Sequence, residues 1–188
     1  MNELRVEVVN LTRLAVEPAE VARLVARVLV AEGVRDGELG VRFVGARRMR
    51  ALNRDYLGHD EVTDVLSFPL EEGDELDAGG PLAGPYDGQA GDGGDDGGAA
   101  SAGAAPVVGD DSPDSMPRLL GDVVVCSLRA AAQARAAGRP LALELAALLV
   151  HGTLHVVGYD HETDAGEMAA REARLLDELD WGHLHGAA

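Results

Sequence analysis

The sequence predicts an α+β fold in which a small mixed sheet packs with about five helices in a single domain. The chain has 188 residues and 46% of them are apolar, which suits one globular domain with a substantial core. Short segments with the pattern of β-strands and longer segments with helical spacing follow one another along the chain. These segments do not form a regular βαβ repeat, and this favours α+β.

The first part of the chain predicts two strands and two helices. Residues 5–10 (RVEVVN) alternate polar and apolar side chains, as a half-buried strand does. Pro18 suits the first turn of a helix, whose apolar residues continue at helical spacing until Gly33 ends it. Residues 39–44 (LGVRFV) predict a second strand, and residues 46–57 predict a second helix.

The second part predicts two more strands and three more helices. Residues 64–68 (DVLSF) predict a short strand that Pro69 ends, which is typical of a sheet edge. Residues 123–126 are apolar throughout and predict an inner strand. The three helices are predicted at residues 127–137, 141–157 and 167–179. The middle helix is apolar on nearly every side, which indicates that it is buried.

Residues 71–117 form an acidic segment rich in glycine and proline. The segment holds twelve of the 33 Asp and Glu residues, twelve of the 24 Gly residues and no Lys or Arg, so it supplies most of the net charge of −17. Such a composition does not bury enough apolar surface to offset the entropy of ordering. We therefore predict a disordered insertion that interrupts the one domain. The alternative is a regulatory segment that mimics nucleic acid.

Cysteine content, apolar runs and the N-terminus bear on the environment of the protein. Cys126 is the single cysteine, which excludes an internal disulfide and a cysteine-based zinc cluster. The longest apolar run spans residues 145–150, far shorter than the roughly 20 residues of a membrane-spanning helix. The N-terminus lacks the basic start and apolar block of a secretory signal. We expect a cytoplasmic protein with no membrane partner.

Three histidines lie close together in the stretch HGTLHVVGYDH. His151 and His155 are four residues apart on the predicted buried helix, so their rings lie on one face. Gly158 permits the left-handed turn that ends a helix, and the reversed chain can bring His161 to the same point. Three imidazoles with one open position form the tetrahedral zinc site used in catalysis. A lone buried histidine is more often a core residue, but three at this spacing predict a metal site.

The histidine spacing equals that of the metzincin zinc peptidases, H-E-x-x-H-x-x-G-x-x-H. In those enzymes the glutamate after the first histidine is the general base for peptide hydrolysis. Gly152 stands at this position and argues against a peptidase. A glutamate brought to the metal from elsewhere, with Glu144 the leading candidate, keeps that alternative open.

Together with TDVLSFP (residues 63–69) and GDVVVC (residues 121–126), the histidine stretch resembles the YbeY family of bacterial endoribonucleases. The resemblance covers most of the chain outside the insertion. It implies a zinc-dependent endoribonuclease, specific for single strands, that acts in maturation of the 3′ end of 16S rRNA and in 70S ribosome quality control. It also implies that His151, His155 and His161 bind one Zn²⁺ per chain.

The same resemblance suggests two candidate catalytic residues. The family often has an arginine at the position of Leu57, and Arg54, one helical turn earlier, is the candidate to replace it. Glu144 matches a glutamate common in the family and lies seven residues before His151 on the same helical face. It is expected either to orient a ligand imidazole or to accept a proton.

The second predicted helix is amphipathic. Its basic face is formed by Arg47, Arg50 and Arg54. Its apolar face, which should pack on the sheet, is formed by Met49, Leu52 and Tyr56. The basic face is either solvated or the surface that contacts RNA phosphates. Three aromatic residues could stack on unpaired bases, but at least two of them are expected in the core: Tyr56, Phe68 and Tyr159.

Three hypotheses about function follow from these features. The first is a metal-dependent endoribonuclease whose substrate is single-stranded RNA in the 16S rRNA precursor and whose partners are the ribosome or its small-subunit proteins. The second is a zinc peptidase. The third is a non-catalytic ribosome assembly factor with a structural zinc, whose loss would unfold the protein. The sequence leaves the oligomeric state open.

Overall fold

The computed structural model describes residues 3–70, 118–161 and 163–184. The strands in these ranges are β1 (Leu4–Asn10), β2 (Gly37–Val44), β3 (Val65–Pro69) and β4 (Leu119–Cys126). The helices are α1 (Pro18–Ala31), α2 (Ala46–Leu57), α3 (Ser127–Ala136), α4 (Leu141–Val156) and α5 (Glu167–Glu178). The predicted acidic insertion at residues 71–117 lies outside the described residues.

The strands form one mixed sheet in the order β1-β2-β4-β3. β1 pairs with β2 and β2 pairs with β4 in parallel, whereas β3 is antiparallel to β4. The predicted α+β class with a small mixed sheet is therefore confirmed, and β1, α1 and β2 form one βαβ unit within it. β3 lies at the edge of the sheet and β4 lies inside, as predicted. Pro69 ends β3 at an edge, where its missing N–H costs the sheet little.

The largest difference between the predicted and observed elements is in β4. It begins at Leu119, four residues before the predicted start at residue 123, whereas most other bounds agree within two residues. Gly121 and Asp122 interrupt the apolar run, so the sequence pattern alone does not extend the strand. Both residues nevertheless pair with β2 on one side and with β3 on the other. The neighbouring strands thus override a weak local preference.

Different helices pack on the two sides of the sheet. Alternate residues of each strand point to opposite sides and so belong to different clusters. The side that faces α1 and α4 buries Leu39, Val41, Phe43, Val123 and Val125. The side that faces α2 buries Val44, Leu66, Val124 and Cys126, against Met49 and Leu52 of α2. A third cluster joins α1, α4 and α5 through Val28, Val150, Leu154, Met168 and Leu175.

Helix α4 contacts β3, β4, α1, α3 and α5, and most of its residues are buried. This confirms the prediction that the apolar helix lies inside the protein. Its length is 16 residues. In the part of the chain that the structure describes, no helix combines the length and apolar character needed to span a membrane.

Gly152 allows α4 to approach the sheet closely. A Cβ atom at this position would lie 2.6 Å from Val123 Cγ1 and 3.2 Å from both Ser67 Oγ and Val65 Cγ2. The Ser67 hydroxyl also donates a hydrogen bond of 3.0 Å to the Gly152 carbonyl oxygen. The position is therefore filled by the sheet, and it has no room for the glutamate of the peptidase pattern.

We predict that Gly152→Ala lowers the free energy of unfolding by about 1 kcal/mol, because a methyl group added to a filled core costs more than the gain in helix propensity. Denaturant unfolding of the metal-free protein measures this change. Gly182→Ala is the matched control, since its Cβ would meet only Asp180 Oδ1, at 3.6 Å, within 4 Å. A Gly152→Ala variant as stable as the wild type would contradict the close packing of α4.

Candidate metal centre

The end of α4 brings three imidazole rings together. His155 Nε2 lies 3.2 Å from His151 Nε2 and 3.1 Å from His161 Nδ1. One ligand atom from each ring lies within 4.8 Å of the ligand atoms of the other two. The structure thus gathers the three predicted histidines in one cluster that could hold a metal ion, and we call it the candidate metal centre.

The chain reverses directly after α4 and so returns His161 to the helix end. Gly158 has a φ of 99°, in the left-handed region that glycine adopts at low cost. Its N–H donates to the His155 carbonyl oxygen, and the Tyr159 N–H donates to the Leu154 carbonyl oxygen, both at 3.0 Å. These bonds close the last turn of the helix and direct the following residues back toward His155.

Hydrogen bonds to Nδ1 orient two of the three rings. His155 Nδ1 lies 2.9 Å from the Tyr159 carbonyl oxygen, and His151 Nδ1 lies 3.3 Å from Glu172 Oε2 on α5. Both partners are acceptors, which assigns the proton of each ring to Nδ1 and leaves a lone pair on each Nε2. The two Nε2 lone pairs then face one another across 3.2 Å, an arrangement that a bound cation stabilises.

The separation of the ligand atoms fits a small divalent cation. Zn–N bonds of about 2.0–2.1 Å at tetrahedral angles place neighbouring nitrogens about 3.3–3.4 Å apart. The distances from His155 Nε2 to its two neighbours, 3.2 and 3.1 Å, are close to that value. His161 is exposed while His151 and His155 are half-buried, so solvent reaches the cluster on the side of His161. Three protein ligands with an open position are typical of catalytic rather than structural zinc sites.

The surroundings lower the pKa of His155. Desolvation by burial is the largest cause, and the neighbouring His151 adds to it, against the opposing hydrogen bond to the Tyr159 carbonyl oxygen. A lowered pKa favours the neutral imidazole, which is the form that binds a metal ion.

Glu172 is absent from the residues that the sequence predicts for the site. It lies four residues after Met168 and three before Leu175, both of which are fully buried on the apolar face of α5. A glutamate on the apolar face of an amphipathic helix is unusual, and this pattern in the sequence could have indicated that Glu172 has a polar partner inside the protein. Its contact with His151 spans 21 residues of sequence, and only the packing of α5 on α4 reveals it.

Glu144 is buried in the first turn of α4, where it pairs with Arg139. Two nitrogens of the Arg139 guanidinium, Nε and Nη2, contact Glu144 Oε2. Among the described residues no hydrogen bond joins Glu144 to a histidine of the centre, which lies two helical turns away. A catalytic role for Glu144 stays a prediction.

Arg54 lies on the exposed face of α2. Its Nε donates to Asp55 Oδ1 at 2.9 Å, and Arg50 on the same face donates to both oxygens of Asp60, at 2.8 and 2.7 Å. Leu57, where the resemblance places the family's arginine, is also exposed. The basic face is thus present on the surface and has acidic neighbours, and a catalytic role for Arg54 stays a prediction.

The prediction that at least two of three aromatic residues belong to the core is wrong. Tyr56 is 48% exposed, and Phe68 and Tyr159 are only partly buried. Tyr56 meets Phe68 of the edge strand in an edge-to-face contact with ring centroids 5.4 Å apart. Asn53 is the buried residue on this part of α2. Its side-chain amide donates to the Glu61 carbonyl oxygen at 3.0 Å, which offsets the cost of burying it. This leaves Tyr56 at the rim of the sheet.

Comparison with known proteins identifies relatives along most of the chain. Residues 7–180 match the protein-family model described as Endoribonuclease YbeY. A protein named Endoribonuclease YbeY from Geobacillus kaustophilus is 38% identical over 159 residues, which cover 83% of this chain and 82% of that protein. Its namesake from Bacillus cytotoxicus is 36% identical over 177 residues, which cover 93% and 88% of the two chains. The solution structure of TM1509 from Thermotoga maritima aligns with a TM-score of 0.49 and 21% identity, covering 92% of this chain and 87% of that one.

We predict that Glu172→Ala weakens divalent-metal binding by about 10- to 100-fold, as loss of an orienting hydrogen bond to a ligand histidine does elsewhere. Competition between the protein and a chromophoric chelator for Zn²⁺ measures the dissociation constant. The matched control is Asp177→Ala, which removes an exposed carboxylate from the same helix. Equal affinities for Glu172→Ala and the control would show that the 3.3 Å contact does not orient His151.

We also predict that the metal-free protein loses stability as the pH falls below about 6.5, the ordinary pKa of histidine. Because the pKa of His155 is lowered in the folded state, the unfolded chain binds more protons in this range. The stabilisation is fully present above the unfolded-state pKa and is lost as the pH falls through the folded-state pKa. Thermal melts between about pH 7.5 and about pH 5 test this, and His155→Ala should lose less stability over the same interval. A parallel loss in both proteins would be the contrary result.

Proposed function

The chain belongs to the Endoribonuclease YbeY family, and on this premise we propose that it is a zinc-dependent endoribonuclease that cleaves single-stranded RNA. The proposed substrate is the 16S rRNA precursor, cut in maturation of its 3′ end, and the proposed wider role is 70S ribosome quality control. The proposed partners are the ribosome or its small-subunit proteins, in the cytoplasm. This part of the proposal rests on the family resemblance.

The candidate metal centre is the observation that carries the proposal. Three imidazole nitrogens lie within 4.8 Å of one another, two of their three separations are close to those of a tetrahedral site, and solvent reaches the cluster on one side. Two rings are held by acceptors at Nδ1, so their lone pairs are directed inward before any ion arrives. Zn²⁺ is the proposed ion because three imidazoles suit it and because Cys126, a softer ligand, is buried in the core.

The chemistry is divided between the ion and the chain. A bound Zn²⁺ ion supplies a Lewis acid that can polarise a phosphoryl oxygen or acidify water. His151, His155 and His161 would hold the ion, and the Tyr159 carbonyl oxygen and the Glu172 carboxylate contact Nδ1 of two of the rings. Partial burial of the cluster strengthens the electrostatic interactions within it.

Arg54 is the residue proposed to contact the RNA phosphate. Its ion pair with Asp55 joins two exposed neighbours on one helix, and such pairs contribute little to stability. The guanidinium can therefore exchange this carboxylate for a phosphate at small cost, and a guanidinium is the side chain best suited to bidentate phosphate binding. Neutralising charge on the reacting phosphate is its proposed role.

Glu144 is proposed as a positioning residue rather than a proton acceptor. Its carboxylate is almost fully buried and is paired with the half-exposed Arg139 guanidinium. Removing one member of a buried pair is destabilising because it leaves an uncompensated charge. We therefore propose that the pair stabilises the first turn of α4, the helix that carries His151 and His155.

The two alternative functions are less compatible with the site. A peptidase would need a general base, but Gly152 is packed against β3 and β4 and Glu144 is paired with Arg139. An assembly factor with a structural zinc would be expected to close the site with a fourth protein ligand. In the described part of the chain the group that could hold an ion consists of the three histidines.

We predict that zinc-loaded protein cleaves a labelled single-stranded RNA and leaves a duplex of the same sequence intact. His155→Ala should abolish cleavage, and Arg54→Ala should lower the rate by about 100- to 1000-fold, as loss of one charge-stabilising donor does elsewhere. The matched control is Arg23→Ala, which removes another exposed arginine that has an acidic partner on its own helix. Its cleavage rate should equal that of the wild type.

The outcomes separate the hypotheses. Cleavage by His155→Ala at the wild-type rate would assign the activity to something other than the candidate metal centre. A folded, zinc-loaded protein that cuts no RNA and unfolds when the metal is removed would favour the assembly factor. Turnover of a protein substrate that Glu144→Gln abolishes would favour the peptidase.

A further inference from the structure

Three side chains from three separate segments meet behind the candidate metal centre. Glu32 at the end of α1 accepts a hydrogen bond from the Tyr159 hydroxyl at its Oε2, with a distance of 2.9 Å. Its other oxygen, Oε1, accepts from Arg171 Nε on α5 at 2.6 Å. Arg171 also donates to the Ala31 carbonyl oxygen at 3.2 Å. We refer to Glu32, Tyr159 and Arg171 as the Glu32 network.

The position of Glu32 is unfavourable for a glutamate considered by itself. It follows the last residue of α1, where the helix dipole is negative, and the glutamate side chain is only 10% exposed. Burial of a carboxylate requires partners for both oxygens. Arg171 provides the opposite charge and the Tyr159 hydroxyl provides the second donor. Glu32 therefore does not stabilise the end of α1 by its charge, and its favourable interactions are those with Arg171 and Tyr159.

Tyr159 links this network directly to a predicted metal ligand. Its carbonyl oxygen lies 2.9 Å from His155 Nδ1, and its N–H donates to the Leu154 carbonyl oxygen at 3.0 Å. The hydroxyl bond to Glu32 anchors the far end of the side chain. Tyr159 is therefore held at its backbone and at its hydroxyl, and the orientation of the carbonyl that receives the His155 proton depends on both.

Helix α5 contributes to both oriented histidines. Glu172 contacts His151 Nδ1, and the adjacent Arg171 holds Glu32, which in turn holds Tyr159. The buried residues Met168 and Leu175 dock the same helix against α1 and α4. One helix thus supports two ring orientations through two neighbouring residues.

We propose that Glu32 is a positioning residue for the candidate metal centre, acting through the Tyr159 hydroxyl to hold the carbonyl oxygen that keeps the proton of His155 on Nδ1. Arg171, which donates to the other oxygen of Glu32, keeps the carboxylate aimed at Tyr159. The inference deepens the proposed function, on which its metal-binding part rests, whereas its statement about the His155 tautomer concerns the metal-free protein alone.

The test compares Tyr159→Phe and Glu32→Gln with the control Glu20→Gln. Glu20 lies in the first turns of α1 and likewise has an arginine partner, Arg23, but this pair is at the other end of the helix from Glu32. Long-range ¹H–¹⁵N NMR of the metal-free proteins reports the tautomer of His155. Cobalt(II) titration, followed by visible absorption and by competition with a chromophoric chelator, reports metal affinity and ligand geometry.

We expect the Nδ1–H tautomer of His155 to dominate in the wild type and in Glu20→Gln and to lose population in Tyr159→Phe. Metal affinity should fall by about 3- to 10-fold in Tyr159→Phe, less than for direct loss of a hydrogen-bond partner of a ligand histidine. Glu32→Gln should have a smaller effect, because its amide oxygen still accepts from the Tyr159 hydroxyl.

Thermal melts of the metal-free variants identify a purely structural role. If Tyr159→Phe lowers the melting temperature but keeps the wild-type tautomer of His155 and the wild-type metal affinity, the inference is overturned. The Glu32 network would then only hold the helices together. A wild-type protein that binds no Co²⁺ or Zn²⁺ would overturn the proposed zinc-dependent function instead. The tautomer comparison would still decide whether the Glu32 network positions His155.

Discussion

The close contact between α4 and the sheet is the constraint on which the arrangement of the site depends. At Gly152 the backbone of the helix packs directly on side chains of β3 and β4, namely Val65, Ser67 and Val123. His151 and His155 then fall on the adjoining face of the helix, at the boundary between core and solvent, because successive residues are rotated by about 100°. A ligand on the face toward the sheet would be sealed, and one on the opposite face would lack neighbours to orient it.

The end of α4 and the loop after it supply only one of the groups that contact the rings of the histidine cluster from behind, the Tyr159 carbonyl oxygen. The additional support comes from α1 and α5, which pack on α4 through an apolar cluster and direct polar groups to the back of the site. Glu172 contacts His151, whereas Glu32 accepts a hydrogen bond from the Tyr159 hydroxyl and Arg171 donates to Glu32. The groups behind the histidine cluster therefore come from three helical segments, and metal sites in general depend on such groups to orient their ligands.

The charge of the protein places a second constraint on an RNA-binding role. A net charge of −17 repels a polyanion at long range, although most of it belongs to residues 71–117. The arginines of α2 have acidic neighbours, among them Asp55 and Asp60. Attraction of Arg50 and Arg54 for a phosphate must consequently be local, and it must replace their existing ion pairs.

The sequence pattern alone predicts every strand and helix of the described chain, the edge position of β3, the burial of α4 and the clustering of the three histidines. These depend on periodicity, on turn residues such as Gly158 and on spacing within one segment, all of which are local. The start of β4, the exposure of Tyr56 and the contacts of Glu172 and Glu32 arise only from tertiary packing. Tyr159 and Glu32 are 127 residues apart, and their contact exists because the packing of α1, α4 and α5 brings distant segments together, which no local pattern encodes.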